Sequence, residues 1–497
     1  MMGRKVAEPK LYLSFSLDAA VPPNHLVRRL GQVIDFGFVH GLAQRYYSEV
    51  GRPSVDPVVL FKLLLLGYLF NIPSERRLCE EASLNLAWRW FLGYELDEPI
   101  PDHSVLTKAR RRFGVKVFED FFAHIVKLCE ERGLVEGDVL FIDSTLIDAN
   151  ASQDSLRSRA LASQLRRPAE FVRDLQAVND PPPEPEAPRE RGPRGRQPGR
   201  QSVQASWRRS LVSTTDPDAE LATRRDGRSR LAYKAQLVVD GGKANVITAV
   251  EIGPAGDSDA SATGRMLDKH RKTLGRPARE LVGDSGYGSD GAIRECLARE
   301  VLPTLKSPSR LRSKDRFGPE AFTYIGEGDV LICPAGHELH RAREHFVKGK
   351  TIYRPAQRGV CADCPLRAKC VAGKGDREVS RIWDASTLEL ARAHHSTRRG
   401  RQRFGRRFVV SERTNADLKG NHGFGRAQFR GRASVQIQAS MTAATFNIEQ
   451  LLKRGPAGQI GWASRCVEAI NKVPSRVLGG FVRLLALGPT HQPCLNW

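Results

Sequence analysis

The sequence predicts an α/β protein assembled in parts. An all-helical N-terminal module precedes a mixed α/β region, which carries a cysteine-rich insertion. Three observations predict this. Apolar residues recur at helical spacing over residues 23–135. From Gly137 the pattern shortens to strand-length apolar runs, two of which end in an acid, at Asp143 and Asp284. Four cysteines, Cys333, Cys361, Cys364 and Cys370, cluster between Asp284 and Glu412.

In chain order, the helical module spans 10–135. Asp56 caps a helix that has Pro57 at its first position. The run "PVVLFKLLLLGYLF" is interrupted by Lys62 and falls short of the ~20 apolar residues of a spanning helix, so it reads as buried and no membrane partner is expected. In "SERRLCEEASLNLAWRWFLGY", Leu78, Ala82, Leu84, Leu86 and Trp90 share a stripe. "PDHSVLTKARRRFG" has Asp102 as cap and Gly114 as stop. Its last turns carry Lys108, Arg110, Arg111 and Arg112, a basic face that suits either DNA contact or a solvated helix end favoured by the helix dipole. "KVFEDFFAHIVKLCEERGLV" is a further amphipathic helix.

Beyond Gly137, Val139–Ile142 forms a buried strand that delivers Asp143 at its end. Two strands flank "DGGK", with Asp240-Gly241-Gly242 as hairpin chemistry. Leu281 and Val282 run into Asp284, followed by a Gly-rich turn and a helix. Residues 434–455 form a helix with Val435, Met441, Ala444, Ile448 and Leu452 on its buried side. The α/β region thus takes in 136–150 and 225–455, with 310–385 as the cysteine-rich insertion. Residues 151–224 are a linker, basic and rich in Pro and Arg from Pro181 to Ser210, too poor in apolar residues to offset the entropy of ordering. The tail, 456–497, is uninformative, and no internal repeat is found.

A chain of 497 residues exceeds one ordinary core. It holds 78 Lys and Arg against 56 Asp and Glu, a net charge of +22, and nucleic acid is the commonest acidic partner for such a chain. The N-terminal stretch lacks a signal-peptide apolar core, which suggests a reducing, cytoplasmic setting. Clustered cysteines there favour metal over disulfides.

Glu412 lies among Arg406, Arg407, Arg413, Arg426, Arg430 and Arg432. An anion-binding surface gains nothing from an acid unless the site also holds cations. Asp143, Asp284 and Glu412 together suit Mg²⁺ or Mn²⁺, which favour carboxylates, water and phosphate oxygens. A pair of such ions can activate the attacking oxygen and stabilise the leaving one. Lys419, two helical turns after Glu412, shares its face and can reach phosphate. Taken singly, each acid also reads as a turn cap or an arginine's ion-pair partner.

"FIDSTLIDAN", "LVGDSGYGS" and "SERTNADLKGNHGFGRAQFRG" resemble the DDE transposases of bacterial insertion sequences. More narrowly, they are similar to the superfamily numbered four and five, which bears a Tyr-Arg-Glu-Lys signature. "RPSVDPVVLFKLLLLGYLF" and "PDHSVLTKARRRFG" resemble that group's N-terminal domain, and the likeness runs from about residue 10 to 455. The resemblance implies an RNase H-like catalytic core, a mixed sheet flanked by helices. It implies Mg²⁺-dependent cleavage at transposon ends, transfer of the 3′ hydroxyl to target DNA, and a homodimer on paired ends near the bacterial nucleoid. Asp143, Asp284 and Glu412 would be the metal-binding triad, and Lys419 would match the signature lysine. The signature arginine falls on Phe408 and its tyrosine on Gly405, so Arg407 or Arg406 would stand in. Lys108, Arg111, Arg407, Arg413, Lys419, Arg426 and Arg430 would hold DNA. A nuclease of the same fold, or a DNA-end-binding relic, are the alternatives.

The C-x2-C pair Cys361 and Cys364, with Cys333 and Cys370, suits a closed structural Zn²⁺ site. His337 and His340 are substitute ligands, and four free thiols are the plainer reading. No Walker loop is present, and "GDSG" comes without a placed catalytic histidine.

Overall fold

The computed structural model describes residues 15–48, 50–51, 54–158, 211–223, 227–306, 316–318, 321–345, 350–371, 373, 375–382 and 385–454. Most of the expected linker and the whole tail lie outside the described residues. The chain divides into two compact units, one of residues 1–278 with 407–497, the other Arg279–Arg406.

After a single helical turn, Leu17–Ala20, the first unit holds helices α1 (Leu26–Val33), α2 (Phe38–Ala43), α3 (Pro57–Leu69), α4 (Glu75–Leu84), α5 (Leu86–Leu92) and α6 (Ser104–Glu131). Asp56 caps α3 through the Val58 amide at 2.7 Å, with Pro57 in the first turn. All of α3 from Leu63 to Leu69 is buried, which accounts for its apolar run. No helix among the described residues is long and apolar enough to cross a membrane. Asp102 accepts the Ser104 amide at 2.9 Å at the start of α6. Gly114 breaks α6 with φ 63°, a left-handed value that favours glycine. The expected stop is therefore a kink between two nearly continuous segments.

Strands β1 (Val139–Asp148), β2 (Glu220–Thr223), β3 (Ser229–Asp240) and β4 (Ile247–Pro254) follow, then α7 (Thr263–Leu274). β3 lies between β1 on one side and β2 and β4 on the other, all antiparallel. Asp143 pairs with Leu237 in this register, so it lies mid-strand rather than at the strand end the apolar run suggested, because the ladder with β3 continues to Asp148. The β3–β4 connection begins at the expected Gly-Gly. A Cβ on Gly241 would meet the Val139 carbonyl and the Phe141 ring at 2.7 Å, so only glycine lets the turn approach β1. Asp240 accepts the amides of Gly137, Gly242 and Glu136 at 2.7, 3.0 and 3.2 Å and pins the entry to β1.

The second unit holds β5 (Glu280–Gly283), α8 (Asp290–Leu297) and β6 (Leu302–Leu305), with β5 and β6 parallel. A separate antiparallel sheet follows: β7 (Thr323–Ile325), β8 (Val330–Ile332), β9 (Glu338–His345), β10 (Lys350–Pro355) and β11 (Val379–Ile382), in the order β11-β10-β9-β8-β7. Helices α9 (Ala385–Ser396) and α10 (Arg398–Gly405) complete it.

The chain re-enters the first unit through a π-helical turn, Phe408–Glu412, then α11 (Arg413–Asn421) and α12 (Arg432–Arg454). α12 packs on α6, β4 and α3 and is buried from Val435 to Leu452. One apolar stripe was expected; its polar residues are buried as well, and several have backbone partners. Asn447 accepts the Ile247 amide and donates to the Ile247 carbonyl, both at 2.8 Å. Gln436 accepts the Ile252 amide at 2.7 Å. These side chains stand in for a neighbouring strand along β4 and satisfy backbone groups that burial would otherwise strand. The Arg29 guanidinium, itself buried, donates to the Leu452 carbonyl at 2.5 Å near the helix end.

Candidate active site

Asp143 is the first partly exposed side chain of β1 after three buried ones. Leu140, Phe141 and Ile142 are fully buried, so both faces of the strand are covered there, and Asp143 follows where the cover thins. Partners from three residues touch the carboxylate, among others. Oδ1 accepts the Ser144 amide at 2.9 Å, and Oδ2 accepts Asn415 Nδ2 at 3.1 Å. Arg407 Nη2 stands 3.5 Å from Oδ1, and this ion pair is 11% and 15% exposed on its two side chains.

Both distal partners flank Glu412. The π turn explains how. A π turn is wider than an α turn and rephases the chain around it. Here Arg407, Val410 and Ser411 face inward, while Phe408 and Val409 are 71% and 53% exposed. Thr414 and Leu418 then seat α11, Asn415 turns to Asp143, and Glu412 and Lys419 stay exposed. Arg407 was expected on the phosphate-binding surface; it is buried against Asp143 instead. Of the two candidates for the signature arginine, Arg407 reaches the Asp143 carboxylate and Arg406 is exposed.

Asp284 lies in the second unit, one residue past β5, as the apolar run into it predicted. Its Oδ1 accepts the Gly286 amide at 2.8 Å, so it also caps its own turn. At the start of the same strand Glu280 is buried. It accepts the Thr304 hydroxyl at 2.6 Å, with Arg403 and His394 at 3.6 and 3.7 Å. This network anchors the strand and had no sequence signal, because its members are scattered over 280–403.

Lys108, Arg111, Arg413, Arg426 and Arg430 are exposed in the first unit. Arg430 Nε donates to the Asn150 carbonyl at 3.2 Å, and the Ala427 amide to the Asp148 carbonyl at 2.8 Å, so the loop after α11 is tied to the end of β1. Arg110, between Lys108 and Arg111 in the basic run, is not on the surface. It is buried, ion-paired with Glu75, and its guanidinium lies 4.1 Å from the Phe429 ring centre.

Hard oxygen donors fit a magnesium- or manganese-like ion better than a soft one. Asn415 Oδ1, on the amide that bonds Asp143, and Ser411 Oγ, in the π turn, are buried oxygens with no hydrogen-bond partner among the described residues. No three His, Cys, Asp or Glu side chains among the described residues stand at metal-holding distance as placed. Asn415 and Ser411 were missed by sequence reasoning, although Asn415 lies three residues after Glu412, a spacing that puts both on one side of a helix.

In the second unit the thiols of Cys333, Cys361, Cys364 and Cys370 line one cavity, with His337 and Arg377 at its wall. His340 is exposed and pairs with Glu338 at 3.4 Å, away from the cavity lining. Burial pushes the Cys129 and Cys296 thiols up to about 12, which marks them as structural and unreactive.

Two domain families match the chain. The transposase domain (DUF772) matches residues 15–112, and the transposase DDE domain matches residues 332–452. The second match takes in all four cysteines, Glu412 and Lys419. No curated protein matches. Among solved structures, the piggyBac transposase in a synaptic complex with hairpin DNA is 11% identical over 92% of this chain and 79% of that one. Its TM-score of 0.28 is too low to establish a shared fold.

Proposed function

Starting from a chain that its two matched domains make an insertion-sequence DDE transposase, an enzyme of DNA cleavage and transfer, we propose that Asp143, Asp284 and Glu412 are its reacting-site carboxylates. They would act within an RNase H-like core, at transposon ends and then on target DNA. The observation that carries this reading is the clamp on Asp143. An acid inside a paired strand has no turn to cap, and one kept only to meet solvent would need no buried arginine and no asparagine from a distant helix. Here Arg407 and Asn415 both converge on it, from either side of Glu412.

The three carboxylates would hold Mg²⁺ or Mn²⁺, which when bound supplies an activated oxygen nucleophile and charge stabilisation at the scissile phosphate. Arg407 and Asn415 fix the direction in which the Asp143 oxygens point. Lys419 extends from the same helix face as Glu412 and meets a phosphate oxygen. Arg413, Arg426, Arg430, Lys108 and Arg111 bind backbone phosphates and release counterions, so affinity falls steeply with salt. Arg407 takes the role of the signature arginine in the Tyr-Arg-Glu-Lys group. Two copies on paired ends, in the cytoplasm at the nucleoid, complete the reading. The cysteines take no part in this step, since soft sulfur donors suit zinc rather than magnesium.

Strand cleavage of labelled end DNA tests the assignment. Asp143→Asn and Glu412→Gln should each abolish cleavage and leave DNA affinity close to that of the parent chain. Variants that cut as well as the parent would refute it.

A further inference from the structure

The β7–β11 sheet has little to hold it together. Its core is Phe322, Leu331, Leu339, Tyr353, Cys370 and Val379. Units with so small a core commonly rely on a metal or a disulfide. The described cysteines are free thiols, so no disulfide supplies the staple.

Four thiols far apart in sequence nevertheless meet at one cavity. Each is presented by a tight local turn. Cys333 opens a turn between β8 and β9 in which its carbonyl accepts the Gly336 amide at 2.8 Å, and Gly336 has φ 84°. Cys364 lies two positions beyond a second turn, closed by the Ala362 amide on the Gly359 carbonyl at 2.8 Å. Cys370 ends a single helical turn and is buried.

Backbone amides already point at the sulfurs. The His337 amide donates to Cys333 Sγ at 3.3 Å, and the Arg377 amide to Cys361 Sγ at 3.4 Å. Asp376 accepts the Gly359 amide at 2.8 Å and the Cys361 amide at 3.0 Å, which fixes the loop carrying the C-x2-C pair. The Arg377 guanidinium then ties this loop's partners together, donating to the Cys370 and Phe317 carbonyls at 3.0 and 3.1 Å. The sulfurs are not yet at metal-holding distance. A change of χ1 rotamer moves each one without moving the backbone.

We propose that Cys333, Cys361, Cys364 and Cys370 form a closed four-thiolate zinc site that staples the β7–β11 sheet, with Asp376 as a positioning residue behind Cys361. His337 lines the cavity, but its ring is exposed and all four sulfurs are available, so it lies outside the ligand set. With four protein ligands no position is left for substrate, and the role is structural.

The full-length chain, purified without added metal, should carry about one zinc per chain by elemental analysis. Exchange for Co²⁺ should give the intense visible bands and sulfur-to-cobalt charge transfer of a tetrahedral thiolate site. Cys361→Ser with Cys364→Ser should remove both signals, whereas His337→Ala and His340→Ala should keep them. Asp376→Ala should retain cobalt binding but weaken it about 10–100-fold in competition with a chelator. A parent chain that takes up neither zinc nor cobalt overturns the proposal, as does full retention of zinc after loss of both C-x2-C thiols. Loss of the cobalt thiolate bands in His337→Ala overturns the ligand set. None of these measurements depends on strand cleavage, so their outcome is separate from that of the Asp143 and Glu412 variants.

Discussion

Asn415→Leu isolates the contribution of the Asp143 clamp. Leucine keeps the side-chain size and removes the amide, so the hydrogen bond from Nδ2 to Asp143 Oδ2 at 3.1 Å is lost. A hydrogen bond to a charged group contributes about 1.5–3 kcal/mol. At about 1.4 kcal/mol per decade this corresponds to roughly 10–100-fold in rate. The same range is typical when a group that orients a metal-ligating side chain is removed. Asp143 keeps the Ser144 amide and the Arg407 contact, so the lower part of the range, about tenfold, is expected. The assay is single-turnover cleavage of labelled end DNA at saturating protein, repeated over a Mg²⁺ titration. The rate should fall and the Mg²⁺ concentration at half-maximum should rise, with DNA affinity and far-UV circular dichroism unchanged. A parent-like rate and Mg²⁺ dependence would show that Asn415 only fills space and that Asp143 needs no second partner.

Two further outcomes are expected from the same unit. Asn447→Leu leaves the Ile247 amide and carbonyl without their 2.8 Å partners. At ~1–3 kcal/mol for each stranded group, partly offset by the buried leucine, a loss of about 2–4 kcal/mol is expected in denaturant unfolding. An unchanged midpoint would mean that the β4 edge does not depend on α12. His270 is fully buried beside the Thr248 hydroxyl, and burial, then Arg276, depresses it from 6.5 to about 4. The folded chain therefore binds the proton less readily than the unfolded one. Stability is present above about 6.5 and is lost as pH falls towards about 4, by up to ~3 kcal/mol. His270→Gln should flatten that fall in unfolding midpoints measured across this window; an equal fall in both chains would assign it to other groups.

Much of the fold was legible because local rules carried it. Asp56 before Pro57 marks a helix start whatever the helix packs against, and Gly114 marks a break because other residues rarely adopt its φ. The apolar runs before Asp143 and Asp284 marked strands, although the first strand runs on past its acid to Asp148, which the polar residues after Asp143 concealed. The candidate site was legible only as a set of residue types. Asp143, Glu412 and Lys419 stand out by chemistry and order. Arg407, read as a DNA contact, looks no different in sequence from Arg406, yet one is buried on Asp143 and the other exposed. Arg110 is hidden in the same way, its neighbours Lys108 and Arg111 being solvated.

By itself, the sequence determined where most helices and strands lie, which residue types are on hand for chemistry, and the strong positive charge of the chain. Those properties depend on neighbours within a few positions or on summed charge. The tertiary structure alone decided which arginine serves Asp143, why the polar residues of α12 are buried, and that four distant cysteines share one cavity. Each of these depends on which backbone groups and side chains meet across long separations, and no local pattern encodes such meetings.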